Sequence, residues 1–320
     1  DCNSELFHRL GATETDLSVF KEIGVDILRM DFSFNDERDA TLINNKEGIK
    51  IEMSTSFIEI IEAAIKNGAK PENISTCHNF YPERYTAPSL EAINEINNYW
   101  KAKNIPVAIF ISSLVKGSHG PWPVSDGLPT IEEHRDMPIE EQLKHCLALD
   151  NVDEIIIGNA YASEDEFKAI DQVMKQVYVD VPKNEAFGFL ADFIPHGMIK
   201  RVPFKIQLEE GITELEKEIL FNYPTHSDLG DCMNYMLRSR WTRMIYKGKE
   251  IPCRPCTKTH YTRGDVVIVN DNLAHYRGEI QIVLKDMKVD GQRNLLGRID
   301  ESEIFILEHI KAKDVFTFVE

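Results

Sequence analysis

Short apolar segments that end in polar side chains recur along the first half of this chain. Segments 25–30, 49–53, 74–79, 107–112 and 154–158 have the composition of strands. The polar residues at their ends are Asp31, Glu52, His78, Ser112 and Asn159. A chain that places polar residues at the ends of many strands builds one site from all of them, as a (β/α)8 barrel does.

Helical patterns alternate with these strands, at 16–23, 57–67, 88–103, 138–149 and 163–176. Strands alternating with helices form a parallel sheet with right-handed crossovers. The segment Asp1-Cys2-Asn3 has the pattern of a sixth strand end, so a closed barrel requires two more strands, which we expect before residue 1. The alternative is an open doubly wound sheet, although no glycine-rich phosphate turn follows a strand. We therefore predict an α/β fold with a (β/α)8 TIM barrel over residues 1–203.

The pattern changes after about residue 200. Strand-like segments follow one another closely, with Gly, Asn and Asp between them and one short helical segment at 215–221. The predicted strands are 204–208, 265–269, 278–284, 304–307 and 315–318. Such spacing favours a small β-rich or barrel domain, which we place at 204–320.

The charge is strongly acidic and uneven. Residues 1–203 hold 34 Asp and Glu against 19 Lys and Arg, whereas residues 204–320 hold 19 against 17. This balance argues against nucleic acid as a partner, because phosphate neutralisation requires clustered cations. No apolar run is long enough to span a bilayer, so no membrane partner is expected. The chain starts at Asp1 rather than Met, which predicts a trimmed or processed sequence.

The six cysteines are scattered, and only Cys253 and Cys256 are close in sequence. A single C-x-x-C without a second pair is a weak zinc signal, and we interpret it as structural or incidental, with a redox pair as the alternative. Unclustered cysteines favour a reducing cytoplasm.

Two carboxylates follow what would be neighbouring strands, namely Asp31 and Glu52. Two carboxyl groups in different environments supply a general acid beside a base or nucleophile, which is the minimum for cleaving a glycosidic bond. Asp1 is a third candidate at the end of the sixth strand. In the alternative interpretation, one of these acids pairs with Arg29 or Lys50 or orients a loop.

His78, Asn79 and Tyr81 are candidates for sugar binding, because they offer hydrogen bonds and a stacking ring. The histidines show neither H-x-H nor H-E-x-x-H spacing, so no metal site is predicted, and no cofactor motif is present. In the second domain, Arg238, Arg240 and Arg277 are candidates for binding an anion, since guanidinium forks match phosphate and carboxylate. Salt bridges to acids of the same domain, or docking onto the acidic first domain, are equally open interpretations.

Several motifs together resemble bacterial 6-phospho-N-acetylmuramidases, once classed as outer-surface proteins of unknown function. The most specific is His78-Asn79-Phe80-Tyr81-Pro82. The others are Arg29-Met30-Asp31, Ile51-Glu52-Met53-Ser54, residues 127–135, Ile157-Gly158-Asn159, Thr225-His226-Ser227-Asp228, Leu237-Arg238-Ser239-Arg240, Arg263-Gly264-Asp265 and Tyr276-Arg277-Gly278-Glu279. The resemblance covers nearly the whole chain.

The resemblance implies a TIM barrel followed by a cyclophilin-like β-barrel. It also implies cytoplasmic hydrolysis of 6-phospho-N-acetylmuramyl-N-acetylglucosamine during recycling of cell-wall sugars. On this basis the catalytic residues are expected to be Asp31 and Glu52. The substrate-binding residues are expected to be Asp1, His78, Asn79, Tyr81, Arg84, Asn159, Arg238, Arg240 and Arg277. The second-domain arginines are predicted to select the substrate by its phosphate or lactyl carboxylate.

The chain departs from the family pattern in three places. Two βα units at the start are missing, Asn159 stands where an acid is common, and segment 178–203 does not follow the pattern. A related but different phosphosugar therefore stays open, as do a lyase or isomerase of small phosphosugars and a non-catalytic sugar-phosphate or surface-interaction protein. The predicted partner is a small phosphorylated sugar, and the oligomeric state is open, with a homodimer as one option.

Overall fold

The computed structural model describes residues 1–120, 124–230 and 234–320. The chain forms two compact units, residues 1–167 and 168–320. The sequence predicts a loop rich in Gly, Ser and Pro at 113–130, and its residues 121–123 lie outside the described residues, as does Cys232. The domain limits predicted from the sequence, 1–203 and 204–320, stay a prediction. Among the described residues, no helix is both long and apolar enough to cross a lipid bilayer.

Five parallel strands form a curled half-barrel in the first unit. They are β1 Ile27–Met30, β2 Lys50–Ser54, β3 Ile74–Cys77, β4 Val107–Ile111 and β5 Glu154–Ile157. Each pairs with the next in chain order. All five predicted strands are confirmed, with ends within two residues of the predicted ones. Cys2 makes a single parallel bridge to Met30, which places the predicted sixth strand end beside β1.

Helices connect and cover these strands. They are α1 Ser4–Arg9, α2 Ser18–Glu22, α3 Glu37–Ile43, α4 Ile58–Lys66, α5 Leu90–Lys101, α6 Ile139–Ala148 and α7 Glu164–Val177. Local capping explains several starts, since Asn3, Asp36 and Ser89 each accept a hydrogen bond from a first-turn backbone N–H. Of these, α3 lies where no element was predicted.

The strands alternate between an apolar face and a polar face. Leu28, Met30, Ile51 and Met53 are buried in one hydrophobic cluster with residues of the covering helices. The intervening residues point to the opposite face because successive side chains of a strand alternate. Trp100 of α5 is fully buried and donates from Nε1 to the carbonyl of Thr55, at 3.0 Å. This contact fixes α5 against the chain just after β2.

The second unit is built on a nearly closed seven-stranded β-barrel. Its strands are β8 Val202–Leu208, β9 His226–Ser227, β10 Met236–Ser239, β12 Asp265–Val269, β13 Ile280–Val283, β15 Arg293–Ile299 and β16 Val315–Val319. Two separate hairpins pair β6 Tyr178–Val181 with β7 Gly197–Lys200, and β11 His260–Tyr261 with β14 Met287–Lys288. Its short helices are α8 Glu214–Lys217, which continues as a π-turn over Glu218–Asn222, and α9 Trp241–Ile245.

The barrel strand order is β10-β13-β12-β15-β8-β16-β9. All neighbours are antiparallel except β16 and β8, which are parallel. The predicted β-rich second half is confirmed, although β15, a central strand, was not predicted. At Gly297 of β15 an added Cβ would lie 2.3 Å from the carbonyl oxygen of Gln207 in β8. Glycine is therefore required for these two strands to approach one another.

The predicted strand at 304–307 is wrong. This segment lies within a 3-10 helix, Glu301–Glu308. Asp300 starts that helix by accepting a hydrogen bond from the Ser302 backbone N–H, and the carboxylate of Glu303 accepts one from the Lys205 backbone N–H at 2.7 Å. A short apolar run has no periodicity of its own, so these capping contacts and burial decide its conformation.

Candidate active site

The strand register brings Arg29 and the candidate residue Glu52 together on the polar face of the half-barrel. Arg29 of β1 pairs in register with Glu52 of β2, and Glu52 with Ser75 of β3. Residues that pair in register point to the same face of a sheet. All three side chains are buried. The polar face of the first three strands therefore carries a guanidinium beside a carboxylate.

Arg29 is the centre of this site. Its Nε lies 3.2 Å from Oδ1 of Asp1 and 3.7 Å from Oδ1 of Asp31, and its Nη1 lies 3.8 Å from Oε1 of Glu52. Its Nη2 donates to Oδ1 of Asn79 at 2.7 Å. One guanidinium thus contacts all three candidate carboxylates.

Further contacts hold the Arg29 guanidinium in place. Its Nη1 donates to the backbone carbonyl of His78 at 3.2 Å. Its carbon Cζ lies 5.4 Å from the centre of the Phe110 ring, within the range of a cation–π interaction. The Arg29 side chain is only 9% exposed, so these interactions are little screened by water.

The three carboxylates differ in exposure. Asp1 and Asp31 are each 48% exposed, whereas the side chain of Glu52 is 6% exposed. Burial raises the pKa of Glu52 above its ordinary value, and the neighbouring Glu154 raises it further, while Arg29 opposes the shift. A raised pKa favours the protonated form, so Glu52 is suited to hold a proton. Asp31, by contrast, is accessible to solvent and substrate.

A cleft of about 740 Å³ opens at this end of the strands, within the first unit. Its walls include Asp1, Arg29, Asp31, Asn79 and Tyr81. Four of these five cleft residues were predicted from the sequence as site residues. The fifth, Arg29, was considered in the sequence analysis only as a possible partner of the acids. The signal that could have identified it is a cation inside an otherwise apolar strand, between Leu28 and Met30.

The ring of His78 is turned toward the helices. It lies 3.2 Å from Oγ1 of Thr55 through Nδ1, and 2.6 Å from Oδ1 of Asn97 in α5 through Nε2. Burial lowers the pKa of His78, so the ring is favoured in its neutral form. The contribution of His78 to the cleft is its backbone carbonyl, which accepts from Arg29.

Asn159 and Arg84 are not among the described residues that line this cleft. Oδ1 of Asn159 accepts from the Ser113 backbone N–H at 2.8 Å, and Oγ of Ser112 lies 3.1 Å from it. Nδ2 of Asn159 is buried and has no hydrogen-bond partner in the described parts of the chain. Arg84 forms a two-point ion pair with Asp136, at 2.7 and 3.0 Å.

The candidate arginines of the second unit have acidic partners there. Arg238 forks onto Glu279 at 2.5 and 2.9 Å, and Arg277 contacts Asp271 at 2.8 Å. Arg240 precedes α9 and also has interaction partners. Two of the three predicted anion-binding arginines are therefore engaged by acids of their own unit.

Comparison with known proteins assigns the chain to a family. Residues 1–172 match the family model described as 6-phospho-N-acetylmuramidase, N-terminal, and residues 202–319 match 6-phospho-N-acetylmuramidase, C-terminal. A crystal structure of an uncharacterized protein from B. cereus is 35% identical, with a TM-score of 0.81, over 96% of this chain and 81% of that one. A conserved protein of unknown function from Enterococcus faecalis is 26% identical, with a TM-score of 0.64, over 99% and 78%.

No curated protein matches the chain. The two family models together span most of the sequence, and both carry the description of a muramidase, an enzyme that cleaves a glycosidic bond. The resemblance stated from the motifs is thereby confirmed. The carboxylates around Arg29 are the groups that such chemistry requires. The chain belongs to the 6-phospho-N-acetylmuramidase family and is a glycosidase.

Proposed function

We propose that this chain hydrolyses 6-phospho-N-acetylmuramyl-N-acetylglucosamine, in cytoplasmic recycling of cell-wall sugars. Family membership supports the phosphorylated muramyl sugar as the substrate class. The observation that carries the proposal is the set of three carboxylates around Arg29. Asp1 and Asp31 line the cleft of the first unit, and Glu52 is buried behind Arg29's guanidinium contacts without being part of the cleft lining. The five described cysteines are all unpaired, which is usual in a reducing compartment.

The charge of the cleft suits glycosidic cleavage. Asp1, Asp31 and Glu52 surround one guanidinium, so negative charge is in excess whenever more than one of these carboxyl groups is ionised. Glycoside hydrolysis passes through an oxocarbenium-like transition state, in which positive charge develops on the sugar ring. Fixed negative charge beside that ring stabilises the transition state more than the neutral ground state.

The two predicted catalytic carboxylates have distinct roles in this proposal. Glu52, whose pKa is raised by burial, donates its proton to the oxygen of the leaving sugar. Asp31, half exposed at the cleft, either attacks the anomeric carbon or removes a proton from the attacking water. Asp1, equally exposed and also held by Arg29, is the alternative partner of Asp31.

The finer fold belongs to the same proposal. We take the five-stranded half-barrel as part of a (β/α)8 barrel and the second unit as a cyclophilin-like barrel. The parallel order of β1 to β5, and the bridge between Cys2 and Met30, support a barrel with further parallel strands.

The proposed role of Arg238, Arg240 or Arg277 in substrate selection stays a prediction, as does a homodimer. Arg238 and Arg277 would have to give up acidic partners to fulfil that role.

The decisive experiment compares the phosphorylated disaccharide with the same disaccharide lacking phosphate. We expect release of N-acetylglucosamine from the phosphorylated form, and little from the other. Glu52→Gln and Asp31→Asn should each lower kcat/KM by about 10²- to 10⁴-fold, the usual contribution of a general acid or base. The control is Glu95→Gln, which makes the same chemical change at an exposed position of α5 and should leave kcat/KM unchanged.

The pH profile separates catalysis from structure. If Glu52 is the acid, activity of the wild-type protein falls as pH rises through its raised pKa, and Glu52→Gln loses this basic limb. Full activity in both variants would refute the assigned roles. Binding of the disaccharide without turnover in the wild-type protein would instead favour a non-catalytic sugar-phosphate sensor.

A further inference from the structure

A cluster of two arginines, one tyrosine and one buried acid lies in the second unit. Arg238 belongs to β10, Arg243 to α9, and Tyr276 and Glu279 to the turn that leads into β13. The guanidinium carbons of Arg238 and Arg243 lie 5.7 and 5.1 Å from the centre of the Tyr276 ring. Both cations therefore lie within cation–π distance of the Tyr276 ring.

Glu279 is fully buried, and Arg238 neutralises it. Its Oε1 accepts from Nε of Arg238 at 2.5 Å and from Nε2 of Gln281 at 2.9 Å. Its Oε2 accepts from Nη2 of Arg238 at 2.9 Å. These hydrogen bonds form a complete guanidinium–carboxylate fork, the strongest arrangement for this pair.

The guanidinium of Arg243, unlike that of Arg238, makes no hydrogen bond to Glu279. Its Nη1 lies 3.7 Å from Oε2 of Glu279, which is beyond hydrogen-bond distance. Within the described parts of the chain, Nη1 is buried without a hydrogen-bond partner, and no other hydrogen bond of this side chain is found. The side chain is 26% exposed, so the guanidinium is within reach of solvent. The buried Asp228 also lies near Arg238 and accepts from its backbone N–H at 3.2 Å, whereas Arg243 has no acid within hydrogen-bond distance among the described residues.

The backbone keeps this arrangement tight. Gly278 has a φ of +86°, and an added Cβ would lie 3.4 Å from Cα of Arg243. The turn before β13 thus lies directly against α9, which a larger residue would disturb. The Tyr276 ring below and Glu279 beside it restrict the motion of Arg243, which lowers the entropy cost of binding a ligand.

We propose that Arg243 and Tyr276 form an oxyanion-binding site in the second unit, for a phosphate monoester or a carboxylate. A planar guanidinium whose donors are not used by the described residues matches the oxygens of both groups. The sequence also places Arg243 in the same arginine cluster, although Arg238, Arg240 and Arg277 were the residues predicted for this purpose. The proposal rests on the proposed function only for the identity of the natural ligand, a phosphorylated muramyl sugar that carries both groups.

The test is calorimetric titration of the full chain with inorganic phosphate at low ionic strength, with acetate as a second probe. Tighter binding of phosphate would indicate a site for a phosphate monoester, and tighter binding of acetate a site for a carboxylate. Arg243→Ala should weaken binding of the better probe by about 10- to 100-fold, the range for a hydrogen bond to a charged group. Arg243→Lys keeps the charge but not the guanidinium fork. Its affinity for the probe should lie between the affinities of wild type and Arg243→Ala.

The matched control is Arg263→Ala, near the far end of β13. This substitution also removes one guanidinium from the second unit, from a side chain that is 35% exposed and lies 3.5 Å from Glu308. We expect it to leave phosphate binding unchanged. Equal weakening in Arg263→Ala and Arg243→Ala would overturn the proposal, because the effect would then be one of overall charge.

A purely structural role for Arg243 gives a different result. In that case, Arg243→Ala lowers the melting temperature followed by circular dichroism and leaves anion binding intact, which would also overturn the proposal. Binding is measured without turnover, so the outcome is independent of hydrolysis. Absence of hydrolysis in the wild-type protein would refute the proposed function and leave the anion site standing.

Discussion

Replacement of Arg29 by methionine is the strongest test of the electrostatics of the first unit. Arg29→Met keeps an unbranched side chain but removes the guanidinium charge that three carboxylates share. Two unit charges at the 3.8 Å that separate Arg29 from Glu52 attract by about 4 kcal/mol at an effective dielectric constant of about 20. Loss of one partner of a buried ion pair typically costs about 3–5 kcal/mol. We expect Arg29→Met to lower the free energy of unfolding by this amount.

The loss should depend on pH, with a sign set by Glu52. Its pKa is already raised by burial, with Glu154 adding to the shift, and Arg29 is the group that opposes it. Without Arg29 the pKa of Glu52 rises further above the value in the unfolded chain. The folded variant then loses stability as pH rises from about 4.5, because the unfolded chain ionises its glutamate more readily. The difference between wild type and variant should therefore grow only once the pH passes the raised pKa that Glu52 has in the wild-type protein.

Urea denaturation followed by far-ultraviolet circular dichroism, at a series of pH values, measures both effects. Arg38→Met is the control, since Arg38 is 49% exposed and pairs with Asp36 at the surface. That pair is worth at most about 1 kcal/mol. A destabilisation by Arg29→Met that is as small as the control and independent of pH would refute the reasoning. It would mean that Arg29 does not oppose the rise in the pKa of Glu52.

Three further predictions concern other parts of the chain. Gly297→Ala should lower the free energy of unfolding by about 1–3 kcal/mol in urea denaturation, because the added Cβ meets the Gln207 carbonyl; an unchanged midpoint would contradict the close approach of these strands. Burial lowers the pKa of His226 to about 4, so acidification from pH 6.5 to pH 4 should cost up to about 3 kcal/mol of stability. His226→Gln should flatten that pH dependence, and an equally steep slope would assign it to other groups. Asn79→Ala removes an acceptor from Arg29 and should lower kcat about 10-fold, with less than about 1 kcal/mol lost in stability; a large stability loss would make Asn79 structural.

Local patterns in the sequence were sufficient for most of the secondary structure of the first unit. The strands and most helices follow from apolar residues at spacings of two and of three to four, which report burial of one face. The strand ends followed from the same pattern, and the parallel order then brought Asp1, Asp31, Asn79 and Tyr81 to one cleft. The positions of strands, helices and strand ends depend on residues that are close in the chain, so they can be predicted from the sequence.

Spatial proximity decided the rest. Residues 304–307 form a helical turn, because the contacts of Asp300 and Glu303 outweigh strand propensity. The ring of His78 faces α5, although its sequence context resembled that of a ligand-binding residue.

Charge pairing, too, was decided by the tertiary structure. Arg29 became the centre of the first site through hydrogen bonds to residues 49 and 50 positions away in the chain. Arg238 is engaged by Glu279, 41 positions away, and Arg243 is left with unused donors. Which acid meets which arginine depends on strand register and helix placement, and no local spacing in the sequence encodes those long-range contacts.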